Sequence, residues 1–434
     1  MLLVQAGDLR RAGFTAEPEI FRCGTDVRLA HVKHAVTGGG MRVSKTTVRA
    51  VNALTARWAG AACGGTVFSA AGVWPPLALL ADGAEGAARA ELADAVGLPA
   101  GQSAAAAREL LAGLAAMRGV DAALGLWTKR TVELREAWAA GLPAEAHGVL
   151  TGNLAVDRAA LDAWAAKRTG GLIEQMPLAL TDATELVLAS ALALRTEWLR
   201  PFTEVPMESA YWRDRVPLGL HRETALLDRI GVADTPDGHV TELKVLGDAA
   251  IDVHLLLGEE RMTPAQVLGA GMGILDRRHP VVPGDRLPYG DPGPGLRVER
   301  TRSTRPRPPT LDVTTVAYDL TARHDLLRLH RLFGLTTARD STHGHFSGIS
   351  PSPLAIGSAE QATTARFGAL GFRAAAVTAV SAFPAGLPDL RHVTTTVTAR
   401  FDRPFAFLAL HRHSRLVLAA GWVTEPELFP EDQG

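Results

Sequence analysis

The chain is expected to fold as a mixed α+β protein, and its C-terminal quarter supplies the strand half of that expectation. His392 to Phe401 (His-Val-Thr-Thr-Thr-Val-Thr-Ala-Arg-Phe) is β-branched and alternating, the pattern of a strand with one face toward a core. Two apolar runs follow, Phe405 to Leu410 and Leu416 to Val423, with His411 to Arg415 as the turn between them. The helical half is visible at Thr263-Pro264-Ala-Gln-Val-Leu, which starts like a helix. Size agrees, because 434 residues with 47% hydrophobic content and a net charge of -1 can bury a large core.

Ahead of these strands lies an unusual pairing of segments. Gly371 to Ala382 reads Gly-Phe-Arg-Ala-Ala-Ala-Val-Thr-Ala-Val-Ser-Ala, a run of small residues that can be helix, loop or strand at little steric cost. Phe383-Pro-Ala-Gly-Leu-Pro388 comes next, and its prolines and glycine confine it to loop. One segment is thus able to own two conformations.

The ending, Arg403-Pro-Phe-Ala-Phe-Leu and Ala420-Gly-Trp-Val-Thr-Glu-Pro426, closely resembles the C-terminus of serpins. The resemblance is collinear from about Met41 to Pro426. Val67-Phe68-Ser69-Ala70 through Leu79, then Gly83-Ala84-Glu85-Gly86, resembles the helix start buried under the main serpin sheet and the turn after it. Trp164 to Ile173 is similar to the helix lying across that sheet. Leu188 to Phe202 resembles the central strand with the breach tryptophan, Trp198, beyond it. His324-Asp-Leu through Leu332-Phe-Gly334, and His345-Phe-Ser-Gly-Ile349, resemble a later helix and turn. The resemblance implies a serpin fold for residues 41–434: three β-sheets, about eight or nine helices and an exposed reactive-centre loop. Residues 1–40 fall outside it, either as a disordered tail or because the true start is Met41.

Charge gives no reason to expect nucleic acid. Lysine is confined to Lys33, Lys45, Lys129, Lys167 and Lys244, and the arginines are interleaved with acids. The one basic run, Arg297 to Arg307, sits in a Pro/Gly-rich stretch and reads as a solvated loop. Cys23 and Cys63 are the only cysteines, so there is no disulfide framework. No apolar run approaches the ~20 residues of a membrane helix, and the N-terminus meets charge before a signal-peptide core develops. The default expectation is a cytoplasmic monomer, with an extracellular location allowed by the resemblance.

Other chemistries lack an anchor. Gly269-Ala-Gly271-Met-Gly273 has part of a nucleotide fingerprint but not its third glycine position. His343/His345 and His411/His413 read as surface histidines rather than metal ligands, and no metal is expected. There is no Gly-x-Ser-x-Gly elbow, so an enzyme is not expected, and no cofactor is implied.

What the resemblance implies is mechanical chemistry: suicide inhibition of a serine protease, in which the cut loop inserts as a new strand in the main sheet. Gly371 would let the hinge bend because it lacks a Cβ. Ala374, Ala375 and Ala376 are small enough to slide between neighbouring strands. Alternation on the pleat would turn Phe372, Ala374, Ala376, Thr378, Val380 and Ala382 inward and Arg373, Ala375, Val377, Ala379, Ser381 and Phe383 outward. The family's usual hinge length places the reactive bond between Ala385 and Gly386, suiting an elastase-like or subtilisin-like protease, with Leu390 and Arg391 as alternatives. Departures concentrate at the switch: Ala369 stands where inhibitors have Glu, and Phe372 where they have Thr or Ser. In the polar cluster that includes Ser69 under the sheet, Gly72, Ser190 and Gln361 replace the family's Ser, Asn and His, and Ser190 and Gln361 are still able to hydrogen-bond one another. These departures motivate the alternative, a non-inhibitory binding or structural protein on the same fold.

Overall fold

A computed structural model describes residues 43–142, 147–176, 180–372 and 392–430. The expectations for residues 1–40, for Arg373 to Ala382 and for the reactive bond fall outside the described residues. The described chain starts with α1 (Lys45–Ala59), β1 (Thr66–Phe68), α2 (Ala70–Gly83), α3 (Gly86–Val96) and α4 (Ala100–Ala115). Ser44 and Ser69 cap α1 and α2, accepting hydrogen bonds from the Thr47 and Gly72 N–H groups. Then come β2 (Val120–Lys129), α5 (Glu136–Ala139), β3 (His147–Leu150) and α6 (Leu154–Thr169). Asn153 opens α6 by accepting from Ala155 and Val156, and Gly170, at φ 58°, ends it in the left-handed region.

The middle of the chain is strand-rich: β4 (Leu186–Leu194), β5 (Thr203–Pro206), β6 (Leu218–Thr224), β7 (Ile230–Thr235), β8 (Gly238–Val245) and β9 (Ile251–Gly258). The expected helix follows as α7 (Pro264–Leu275), opened by a capping box between Thr263 and Gln266. It absorbs Gly269, Gly271 and Gly273. A Cβ on Gly271 would collide with the Leu256 side chain, so this glycine serves close helix-to-sheet packing and not a phosphate loop. The remainder is β10 (Val281–Pro283), β11 (Gly290–Gly293), β12 (Leu296–Ser303), β13 (Thr310–Val316), β14 (Tyr318–Asp325), α8 (His330–Phe333), β15 (Glu360–Phe367), β16 (His392–Arg400), β17 (Phe405–His411) and β18 (Val417–Val423).

Eight α-helices are present among the described residues, two of them only four residues long. One sheet has seven strands, ordered β1-β18-β17-β9-β8-β7-β10, and one has six, ordered β11-β12-β16-β13-β6-β5. Two smaller sheets, β3-β2-β4 and β14-β15, face one another across a cleft and together are taken as a parted third sheet. The C-terminal hairpin forms as expected, Phe405 opposite Val423 and Ala409 opposite Ala419. It lies between β1 and β9 in the seven-stranded sheet, where every residue of β18 is buried.

Two readings need correction. Arg297 to Ser303 is not loop but most of β12, paired antiparallel with β16 along its whole length. Leu296 and Val298 are buried while Arg297 and Glu299 are exposed, so arginine-rich sequence forms a strand because only one face needs to be apolar. The later helix is also shorter than the resemblance implied: His324 and Asp325 end β14, and only His330–Phe333 is helical.

One apolar cluster packs α1, α2 and α7 against the seven-stranded sheet through Leu54, Trp74, Leu268 and Leu418. A second contains Leu220, Leu255, Val313, Phe367, Val397 and Phe407, from five sheet strands and β15. The parted third sheet covers the N-terminal half of α2.

Candidate functional site

The site is the gap in the third sheet. Among the described residues β4 pairs only with β2, and β15 only with β14. Among the described residues no backbone hydrogen bond joins β4 to β15. Between them opens a cleft of about 980 Å³, walled by Leu186 to Leu192 on one side and Glu360 to Thr363 on the other and floored by Ser69, Gly72, Val73 and Leu77. Two facing strand edges whose amides and carbonyls are unpaired among the described residues form a template for another strand. With nine residues in β4 and eight in β15, the template is about 26–30 Å long at ~3.3 Å per residue.

The start of α2 ties the two walls together from below. Gln361 on β15 accepts from the Ser69 N–H at 2.9 Å and donates to the Ser69 carbonyl at 2.8 Å. Ser190 on β4 donates its hydroxyl to the Gly72 carbonyl. Ser69 Oγ in turn donates to the Leu418 carbonyl at 2.6 Å. Ser190 and Gln361 therefore do not bond one another; each grips the backbone of the same helix start, one from either side of the cleft. A Cβ on Gly72 would stand 3.4 Å from Gln361 Nε2 and 3.8 Å from Leu192 Cβ, ordinary contact distances, so the missing side chain leaves a small space on the cleft floor.

His324 was not singled out as a site residue, yet it completes this cluster. It lies on β14 directly opposite Gln361. Its Nε2 meets the Val67 carbonyl at 2.9 Å, and its ring lies edge-on to Trp58 and Phe68. An imidazole thus sits beside Gln361, on the strand next to β15. The cross-strand register was the missing signal, since His324 and Gln361 are far apart in sequence.

Burial holds the His324 pKa below its ordinary 6.5, partly offset by the bond to Val67. Because the folded state favours the neutral ring, the unfolded chain takes up the proton first as pH falls. The stability contributed by His324 is thus present above about 6.5 and lost as pH drops through the lower folded value. We expect His324→Gln to flatten the fall in urea midpoint below pH 6.5; an unchanged slope would refute this. Elsewhere His221 carries the opposite sign, raised by its hydrogen bond to Asp312, so its contribution is complete below 6.5 and lost as pH rises through its folded value.

At the end of β15 the chain turns sharply, with the Gly368 N–H donating to the Gly371 carbonyl at 3.0 Å. Trp198 and Phe202 clasp this turn. The Trp198 indole N–H donates to the Gly368 carbonyl, and the Trp198 and Phe202 amides donate to the Leu370 and Ala369 carbonyls, all at 2.8–2.9 Å. Trp198 also packs on Phe367, ring centroids 4.9 Å apart. Gly371 bridges to Glu197, and Phe372 donates its N–H to the Thr196 carbonyl at 2.9 Å. The Phe372 ring is 4% exposed and faces Phe407.

Gly371 is required here for close approach, since its φ is not positive. A Cβ would lie under 3.0 Å from the Thr196 carbonyl oxygen and 3.1 Å from Glu197 Cα, so backbone would have to move. Gly371→Ala is expected to lower stability by about 1–3 kcal/mol, read from the urea midpoint; a neutral result would show that the hinge backbone yields freely. Of the expected site residues, Ser69, Gly72, Ser190 and Gln361 meet at the cleft, while Trp198, Gly371 and Phe372 meet at its end. Arg373, Ala374, Ala375, Ala376, Val377, Thr378, Ala385, Gly386, Leu390 and Arg391 lie outside the described residues.

Residues 43–215 match the model of the serpin family, described as serine protease inhibitor. No curated protein sequence matches the chain. Among solved structures, human thyroxine-binding globulin complexed with thyroxine is similar at 15% identity and TM-score 0.67, covering 89% of this chain and 100% of that one. A serpin of the trematode Schistosoma haematobium is similar at 14% identity and TM-score 0.62, covering 88% and 100%. The thermophilic serpin tengpin in its native state is similar at 14% identity and TM-score 0.65, covering 88% and 94%. At these identities the neighbours establish the fold, which is that of the serpins, and the family match covers residues 43–215.

Proposed function

We propose that the protein is an inhibitor of a serine protease that works by accepting its own cleaved loop as a strand between β4 and β15. The observation that carries this reading is the unpaired cleft between those strands, floored by the helix start that Gln361 and Ser190 grip. Its length suits the small-residue run that begins beyond Phe372. A strand added there would satisfy backbone groups on both edges. The proposed reactive bond is Ala385–Gly386 and the proposed target an elastase-like or subtilisin-like protease, because alanine fits a small or apolar pocket. The chemistry expected of this chain is to offer a scissile bond and then deform the enzyme that cuts it, with no nucleophile of its own.

A second reading has its own support. Ala369 and Phe372 are 2% and 4% exposed, so the hinge is docked by a large apolar ring rather than a small polar one. That favours a non-inhibitory serpin whose loop stays out. Incubation of the intact protein with elastase-like, subtilisin-like and trypsin-like proteases separates the two. A denaturant-stable covalent complex, with Gly386 at the new N-terminus, is the expected result. Clean cleavage by all three without such a complex would overturn the inhibitor reading.

A further inference from the structure

On the outer face of the six-stranded sheet, far in sequence from the cleft residues, β6 and β13 bring His221, Glu223 and Asp312 together. Their register places Asp312 directly opposite Glu223 and Thr314 opposite His221. The alternate residues Leu220, Leu311 and Val313 are buried, so the three polar side chains share the solvent side. Asp312 Oδ1 and His221 Nε2 are 2.9 Å apart, and one donor atom from each of the three lies within 4.8 Å of the others. Among the described residues no other such trio of potential ligands occurs. His343/His345 and His411/His413 have Asp340 and Asp252 in their surroundings but form no such trio among the described residues.

Two carboxylates directly opposite on an antiparallel pair repel one another. Glu223 is exposed and makes no hydrogen bond or ion pair among the described residues; the charge that faces it there is the His221 imidazole, which is already bonded to Asp312. A cation would offset the repulsion. We propose that His221, Glu223 and Asp312 form a binding site for a divalent first-row transition ion of the zinc type, which staples β6 to β13. The ligand set decides the class: one imidazole with two carboxylates suits zinc better than magnesium or calcium, which prefer all-oxygen shells. Three donors around one tetrahedral zinc ion at about 2.0–2.2 Å sit roughly 3.3–3.6 Å apart, so His221 and Asp312, 2.9 Å apart, part slightly and the exposed Glu223 carboxylate moves in. The ion would displace the proton shared between His221 and Asp312, and solvent would complete its coordination.

The test is calorimetric titration of the full chain with Zn2+, beside His221→Gln, Glu223→Gln and Asp312→Asn variants. These near-isosteric changes sit on an exposed sheet face, and circular dichroism checks the fold. Wild type is expected to bind one ion more per chain than the triple variant, and each single variant to bind that ion at least about tenfold more weakly. Metal-free Glu223→Gln is expected to melt slightly above metal-free wild type, because it removes the carboxylate opposition. Equal stoichiometry and affinity in wild type and triple variant would overturn the site, including the case where zinc binds only at other histidines.

Discussion

A single cut within residues 373–391 is expected to raise the thermal midpoint by at least about 10 °C without loss of mass from the chain. β4 and β15 together provide room for a strand of about eight residues, whose donors and acceptors would make roughly sixteen hydrogen bonds with the two edges. Each is worth ~0.5–1.5 kcal/mol net. Burial of the cleft's apolar walls, among them Val73, Leu77, Leu188 and Leu192, offsets the ~1–2 kcal/mol per residue spent in ordering the new strand. For a chain of this size about 1 kcal/mol moves the midpoint by about 1 °C. Differential scanning calorimetry before and after limited proteolysis measures this directly. A midpoint within a degree or two of the intact protein would mean that the strand stays out, whatever the cleft's geometry.

How far this site was legible in the sequence depended on whether its signals were local. The hairpin of β17 and β18, and strand β16, were plain because alternation and turn residues are properties of neighbouring positions. Arg297 to Ser303 was misread because its strand character comes from β16, a partner almost a hundred residues away, and an arginine-rich half-buried strand looks like a solvated loop when its partner is unseen. The switch residues Gly371 and Phe372 were legible as departures from a pattern, but their consequence was not. Sequence alone treated Phe372 as a ring to be forced into the sheet; the structure has it already buried against Phe407, held by the amide bond to Thr196. His324, His221, Glu223 and Asp312 were invisible as groups, because only strand register makes them neighbours.

The docked state of Phe372 gives the second large effect. Phe372→Ala is expected to destabilise the intact protein by about 3–5 kcal/mol, the usual cost of deleting a buried phenylalanine ring, because it empties the pocket that the ring fills beside Phe407 in the second apolar cluster. Its effect on the cleaved form discriminates between two insertion paths. If insertion starts at Phe372, the ring must leave this pocket when the strand forms, the cleaved form loses less than the intact form, and the gap between their midpoints widens in the variant. Removal of the ring then also lowers the barrier to insertion, and more of each encounter with a protease ends as covalent complex. If insertion starts beyond it, Phe372 stays docked in both forms and the variant lowers both midpoints equally. Calorimetry of intact and cleaved Phe372→Ala beside wild type decides this, and an equal drop would locate the hinge after Phe372 instead of at the Gly371 turn.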